Sequence, residues 1–251
     1  MTDAEFGRRQ PKRTEAFQES LLRILDRKDH PAWRRWTGPG IRSEQLLVHF
    51  QQEWLIFVRD FPRFLGRIHG ACPVPDVRRA LAANLYEEET GGLSFHRPHP
   101  ELFLELMEAL GFRRAAFEQA HLLPESAAYR AWLDHAMHEP WVVGAATVTL
   151  WVEGSVHERA FLSGTPEPAF ETRAKEHFLV RHHGLRPDQL TLMRAHAAVE
   201  GGHRRDAWDM VLTHAQSDEL RAQVIDTLET ARALWHLSRD AVARAAGVVA
   251  A

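Results

Sequence analysis

The sequence predicts an all-α protein, and three observations carry that prediction. Leu and Ala number 28 and 34 against 5 Ile and 16 Val, a balance of straight-chain and small helix formers over the β-branched residues that favour strands. Proline and glycine divide the chain into about eight pieces of helical length rather than the short, evenly spaced runs of a β-sandwich. Inside those pieces apolar residues recur at helical intervals, as in Phe17, Leu21, Leu22, Ile24 and Leu25.

The elements follow in chain order. Residues 1–14 read as a flexible N-terminal arm, and a first helix runs over 15–36 with an interruption at His30-Pro31. Ser43 can cap a second helix whose stripe of Leu46, Leu47, Phe50, Trp54, Phe57, Val58 and Phe61 faces inward. Pro75-Asp76 opens a third that ends in NLYEEET, where Gly91-Gly92 weakens or distorts the helix before Ser94-Phe95-His96. A fourth follows Pro98 and fades at Gly111. After a shorter segment over 127–138, Pro140 opens the most apolar run, WVVGAATVTLWV at 141–152. It is too short to span a bilayer and reads as a central buried helix. A sixth helix covers 168–182, Pro187-Asp188 opens a seventh, and the last runs from Ser217 to near Ala246. No composition shift marks a linker and no segment repeats, so a single helical domain over 15–251 is expected.

Composition excludes several classes of function. With 31 Lys+Arg against 34 Asp+Glu the net charge is −3, and no sustained basic run offers a nucleic-acid surface. Cys72 is the sole cysteine, which rules out a disulfide framework and any multi-cysteine zinc or iron–sulfur site. A metal centre would therefore be built from His and carboxylates. The stretch MTDAEFGRRQPKRTEAF has no apolar h-region and no run is long enough to span a membrane, so a soluble, cytoplasmic protein is expected.

Three constellations then stand out. In the seventh helix His196, Glu200 and His203 lie at i, i+4 and i+7, which places three metal-ligand types on one stripe. Their neighbours Met193, Ala197, Ala198 and Val199 are apolar, and a polar stripe on a buried helix needs something to satisfy it. A solvated helix face would carry the same pattern without a metal. Glu89 and His96 lie seven residues apart, two turns if the helix persists through Gly91-Gly92; the bland alternative is a solvated acidic turn with His96 in a loop. Glu153 is the first acidic residue after the apolar run, and a carboxylate entering a buried helix must be paired, protonated or metal-bound. Arg159 or His157 could pair with it, and His157 at i+4 is a rival ligand. Together these give three imidazoles and three carboxylates, a donor set suited to two non-haem irons.

The order E-x6-H, an isolated Glu on a central helix, then H-x3-[DE]-x2-H resembles the haem-oxygenase-like diiron oxidases of the TenA/PqqC-like superfamily. NLYEEETGGLSFHRPHPELFLELMEALG also resembles their third and fourth helices. The resemblance covers nearly the whole chain and implies a compact haem-oxygenase-like bundle of about seven to eight helices without haem, often dimeric. Residue by residue it makes Glu89, His96, Glu153, His196, Glu200 and His203 the metal ligands, with Glu200 standing where many members have Asp. It implies two Fe ions, with Mn suited to one site equally well, and O2 and a small organic substrate as reactants, with an external electron donor compatible.

The expected chemistry is O2-dependent oxidation of an amino acid, amine or fatty acid, by N-oxygenation, desaturation or oxidative C–C cleavage. Trp54, Phe57, Phe61, Phe95 and Trp151 are candidates for the pocket wall or for plain core, and Arg194 or Arg181 for anchoring a substrate carboxylate. Some members modify a tyrosine of their own, for which this chain offers only Tyr86 and Tyr129. The alternatives are a metal-free PqqC/TenA-like pocket enzyme, a non-enzymatic metal-binding or scaffold protein, and a haem oxygenase with one axial histidine such as His30.

Overall fold

The computed structural model describes residues 3–248, with the side chains of 13–248 apart from that of Glu200. Every regular element among the described residues is helical, as expected. In order these are α1 (Asp3–Leu25), α2 (Trp33–Trp36), α3 (Ser43–Glu53), a π-helical turn (Trp54–Val58), α4 (Phe61–Ala71), α5 (Pro75–Thr90), α6 (His99–Ala109), α7 (Ala115–Glu118) and α8 (Pro124–Ala136). Then come α9 (Trp141–Ala145), a second π-helical segment (Ala146–Val152), α10 (Glu158–Leu162), α11 (Phe170–Glu176) and α12 (Phe178–His183). A 3-10 turn (Pro187–Gln189) leads into the two long helices α13 (Thr191–His214) and α14 (Asp218–Ala245).

These fourteen α-helical segments exceed the expected seven or eight because several expected helices are broken. The first is cut between Leu25 and Trp33, and α1 itself extends back to Asp3 over the stretch expected to be an arm. The sixth is cut at His177, whose extended backbone (φ −64°, ψ 134°) ends α11 while its ring accepts a hydrogen bond from the Leu179 N–H to start α12. The last helix, expected from Ser217, starts at Asp218, with Ser217 as its cap accepting from the Leu220 N–H at 3.1 Å.

Two adjoining apolar clusters hold the bundle together. One joins the α1 stripe Phe17, Leu21, Ile24 and Leu25 to α4, α5, α8, the 141–152 segment, α13 and α14, with Trp151, Trp208 and Tyr129 fully enclosed. The other gathers Trp36, Leu46, Phe50 and Trp54 with α6, α11, α12 and the end of α14. Truncating a fully buried leucine such as Leu21 to Ala would cost about 2–5 kcal/mol. The 141–152 run is buried through Trp151, and among the described residues no helix is long and apolar enough to cross a membrane.

Both π-helical segments adjoin the region where α5, α6, α13 and the 146–152 segment meet. A π-turn accommodates an extra residue and re-aims those after it. In the second, the Glu153 N–H bonds back to the Val148 carbonyl at 3.1 Å. Gly154 then passes so close to the Leu150 carbonyl oxygen that a Cβ would lie 2.0 Å from it. Half-buried Lys28 closes this end of the segment, its Nζ donating to the Trp151 carbonyl at 2.5 Å, the Val152 carbonyl at 3.0 Å and the Gly154 carbonyl. Burial pushes its pKa down to about 8, so it remains an ammonium at neutral pH.

Candidate metal centre

The inward stripe of α5 comprises Val77, Leu81, Asn84 and Glu88, spaced by four, three and four residues. Glu88 is therefore buried, whereas Glu89, one position on, is exposed. Gly91 ends the helix in the left-handed conformation (φ 61°), and a Cβ there would meet the Arg97 backbone oxygen at 2.2 Å. The chain so turned crosses residues 92–98 as a tight loop laid against the end of α5 and enters α6 at His99.

Glu87 ties this loop down. Its carboxylate accepts from the Leu93 N–H at 2.6 Å and from the Ser94 hydroxyl, and lies 3.0 Å from His99 Nε2. The other ring nitrogen of His99 lies 2.9 Å from Glu88 Oε1. Burial works against an imidazolium at His99, but Glu88 and Glu87 outweigh it and raise the pKa. Burial likewise opposes the Glu87 charge, yet Ser94, the Leu93 N–H and His99 hold its carboxyl below the usual range.

From the opposite side α13 brings His196, whose ring centroid lies 4.9 Å from that of His99 at 61°. Ligand atoms of Glu88, His99 and His196 all lie within 4.8 Å of one another. The same three residues, with Glu153, His203, Val199 and Arg204, line a cavity of about 120 Å³. His196 is exposed and lines both cavities, and desolvation of the ring by the surrounding protein pushes its pKa down to about 4. His203 is lowered by burial too. Both rings are thus neutral at pH 7 and keep a lone pair for a metal. Asn84, one turn before Glu88, donates to Glu153 Oε1 at 3.3 Å, and its own Oδ1 is buried without a hydrogen-bond partner.

Of the six sequence-predicted donors three, Glu153, His196 and His203, line the cavity, and a further one is on the same helix as two of them. The fourth, Glu200, stands on α13 but its side chain lies outside the described residues. Glu89 and His96 do not reach the cavity: both are exposed, and His96 lies in the loop with φ 55°. The helix ends at Gly91, where the sequence places a weak point, so the condition for the two-turn spacing of Glu89 and His96 is not met. Glu88 and His99 line the cavity and approach His196.

Other sequence candidates also move. His157 is exposed, and Arg159 pairs with Glu19 and Asp26 rather than with Glu153. Arg181 pairs with Glu176, and Arg194 lies 5.4 Å over the Phe170 ring. Buried His30 lies 3.2 Å from Asp240. Phe57 and Phe61 do line a second cavity of about 190 Å³, with Val58, Leu192 and the cluster residues Glu88, His99, Glu153 and His196. Trp54 instead stacks on Phe103, Trp151 is core with its indole N–H on the Tyr129 hydroxyl, and Phe95 is exposed. Tyr86 is exposed and Tyr129 is fully buried, and neither lines either cavity. Glu87, Glu88, Asn84 and His99 are the residues sequence reasoning missed; the inward stripe of α5 was the available signal for Asn84 and Glu88.

The residues present fit a metal. Two carboxylates and three imidazoles converge on one cavity, two of the rings are held neutral, and Asn84, which donates to Glu153, has a buried Oδ1 without a hydrogen-bond partner. Known proteins agree in part. A family profile described as iron-containing redox enzyme matches residues 48–236. Over 114 residues the chain is 29% identical to a 4-aminobenzoate synthase of Chlamydia muridarum, covering 44% of this chain and 46% of that protein. A 4-aminobenzoate synthase of Chlamydia trachomatis is 28% identical over 114 residues, covering 44% and 47%. The match thus spans under half the length of these relatives. A TenA homologue from Pseudomonas syringae pv. tomato superposes with a TM-score of 0.67 at 13% identity, covering 91% of this chain and 93% of that one. A domain of unknown function with a haem-oxygenase-like fold from Shewanella denitrificans gives 0.59 at 13% identity, over 98% and 93%. At such identity the likeness is one of fold.

Proposed function

This chain belongs to the family of iron-containing redox enzymes, and we propose that it is a non-haem diiron oxidase or oxygenase acting with O2 on a small organic substrate. Its ligands in this reading are Glu88, His99, Glu153, His196, Glu200 and His203, holding two irons or one iron and one manganese. The observation that carries it is the approach of Glu88, His99 and His196 to within 4.8 Å, on a cavity that Glu153 and His203 also line. Bound iron would supply the one-electron redox chemistry that O2 requires.

The chain's own residues do the rest. Glu87 holds His99 by its Nε2, and Asn84 holds Glu153, so two donors have their orientation set by neighbours. Lys28 fixes the carbonyls on either side of Glu153 and so sets where its carboxylate emerges. Phe57, Val58, Phe61 and Leu192 line an apolar chamber on the cluster, which excludes water and receives the apolar part of a substrate. Neither Tyr86 nor Tyr129 lines the cavities, which favours an external substrate over a tyrosine of the chain.

Anaerobic reconstitution with Fe(II), metal counting and rapid mixing with O2 under Mössbauer observation test the reading. About two irons per chain and their O2-dependent oxidation are expected, and Glu88→Ala and His99→Ala should each lose iron. A second reading, a metal-free pocket enzyme, draws on His99 lying between Glu87 and Glu88 as an acid–base group. No specific iron uptake by the wild type would favour it and sink the first.

A further inference from the structure

On the far side of α13 from the apolar chamber, the loop between α10 and α11 borders a groove of about 440 Å³ whose lining includes Phe161, Phe170, Arg173, Arg204 and Arg205. Against these three guanidinium groups the groove wall sets one carboxylate, that of Glu167. Glu167 bridges two of them: its Oε2 lies 3.0 Å from Arg173 Nη1 and its Oε1 3.2 Å from Arg204 Nη1. Arg204 differs from an ordinary surface arginine in three ways. Its side chain is only 6% exposed, buried Glu158 grips it from behind at 3.1 Å, and its guanidinium lies 4.1 Å over the Phe161 ring. It also lines the cavity that contains Glu88, His99, Glu153, His196 and His203, so it stands in a wall common to groove and cluster.

A neighbouring cleft of about 300 Å³ shares Phe170, Arg173 and Ala197 with the groove and continues past Leu190 and Met193 to His196. This path therefore joins paired guanidinium groups to a candidate metal ligand through walls that are mostly apolar, with His177 among them. Two arginines preorganised around one carboxylate form a carboxylate site, since each guanidinium presents a planar fork to the two oxygens. Glu167 sits in an irregular segment and is 43% exposed, so it can leave without unfolding a helix.

We propose that Arg173 and Arg204 bind the carboxylate of an alkyl or aryl carboxylic acid substrate, and that Glu167 occupies this position until the acid displaces it. The role of that acid as substrate rests on the oxidase reading above; its binding does not. Calorimetric titration of the metal-free chain with octanoate, and with octanamide as the uncharged control, provides the test. Glu167→Ala removes the internal competitor and should tighten octanoate binding about tenfold over wild type, leaving octanamide unaffected. Arg173→Met in that background should abolish the gain, and because Arg173 is partly exposed this variant avoids the buried Arg204–Glu158 pair. Unchanged octanoate affinity in Glu167→Ala, or equal affinity for octanamide, would overturn the proposal. Iron counting on the same preparations keeps the two readings apart: octanoate binding without iron uptake sinks only the oxidase, and iron uptake without octanoate binding sinks only this site.

Discussion

Two clusters of polar residues in this bundle share the same sequence spacing and differ in what completes them. His49 and Glu53 on α3 stand at i and i+4, as do His196 and Glu200 on α13. Arg239 of α14 fills the space before the first pair, donating to His49 Nδ1 at 3.1 Å and pairing with Glu53. Its guanidinium lies 3.6 Å over Trp235, and Trp36, Trp33 and Phe50 pack around the His49 ring. His196 instead meets another imidazole and a carboxylate across a cavity. A His-x3-Glu spacing thus places two donors on one face; whether a cation of the protein or a metal completes them depends on what the opposite helix presents.

The sharpest way to break this contrast is Arg239→Met. It would leave Glu53 and His49 facing a void without their cation, and should cost about 3–5 kcal/mol of stability in urea denaturation with iron per chain unchanged. A stable variant with lowered iron content would mean that the two clusters communicate and that the division drawn between them is wrong.

The next largest effect falls on the other cluster. Asn84→Ala removes the donor that holds Glu153, along with the unpartnered buried Oδ1, and should weaken iron binding about 10–100-fold while the helical circular dichroism is retained. An unchanged iron dissociation constant would remove Asn84 from the supports of the centre.

His49 of the one cluster and His99 of the other respond to pH in opposite senses. Burial, reinforced by the Arg239 charge, holds His49 well below its ordinary pKa of 6.5, so the folded ring is neutral while the unfolded one takes a proton near that pH. Below about pH 6.5 the unfolded state therefore binds more protons, and stability falls with decreasing pH by up to about 1.4 kcal/mol per unit from this group. His99, with its pKa raised by Glu88 and Glu87 against burial, contributes in the opposite sense: its stabilisation is complete below 6.5 and is lost as pH rises through the folded value. His49→Phe should flatten the acid limb of a stability–pH curve, and a curve identical to wild type would show that His49 is not the group responsible.

What the sequence makes legible follows from which signals are local. The helical class, the buried run 141–152 and the stripe on α1 are periodicities, readable without knowing the partner helix. Glu153 and His196 are legible as polar residues out of place beside apolar ones, and His203 by its helical spacing from His196. The pair from α5 and α6 is not, because its reading depends on one backbone angle. If Gly91 continues the helix, Glu89 and His96 share a face; with φ at 61° the chain turns, and His99 arrives beside Glu88. The stripe Val77, Leu81, Asn84 and Glu88 held the better clue, since an inward register for Leu81 places Glu88 inward and Glu89 out. The π-turn before Glu153 and the Arg239 bridge depend on tertiary packing, and no single segment encodes them.

The smallest effect is the most direct check on that lesson. Glu89→Ala and His96→Ala alter exposed residues that line neither cavity, so each should change stability by less than about 0.5 kcal/mol and leave iron per chain as in wild type. Glu88→Ala and His99→Ala, one and three residues away, should lose it. The left-handed turn at Gly91 is what makes the two pairs unequal, and Gly91→Ala would force a Cβ against the Arg97 backbone. That variant should therefore lose iron with all four side chains intact. If Glu89→Ala or His96→Ala loses iron instead, the helix does run on through the glycines in the metal-loaded protein, and the spacing in the sequence was the better guide than the loop.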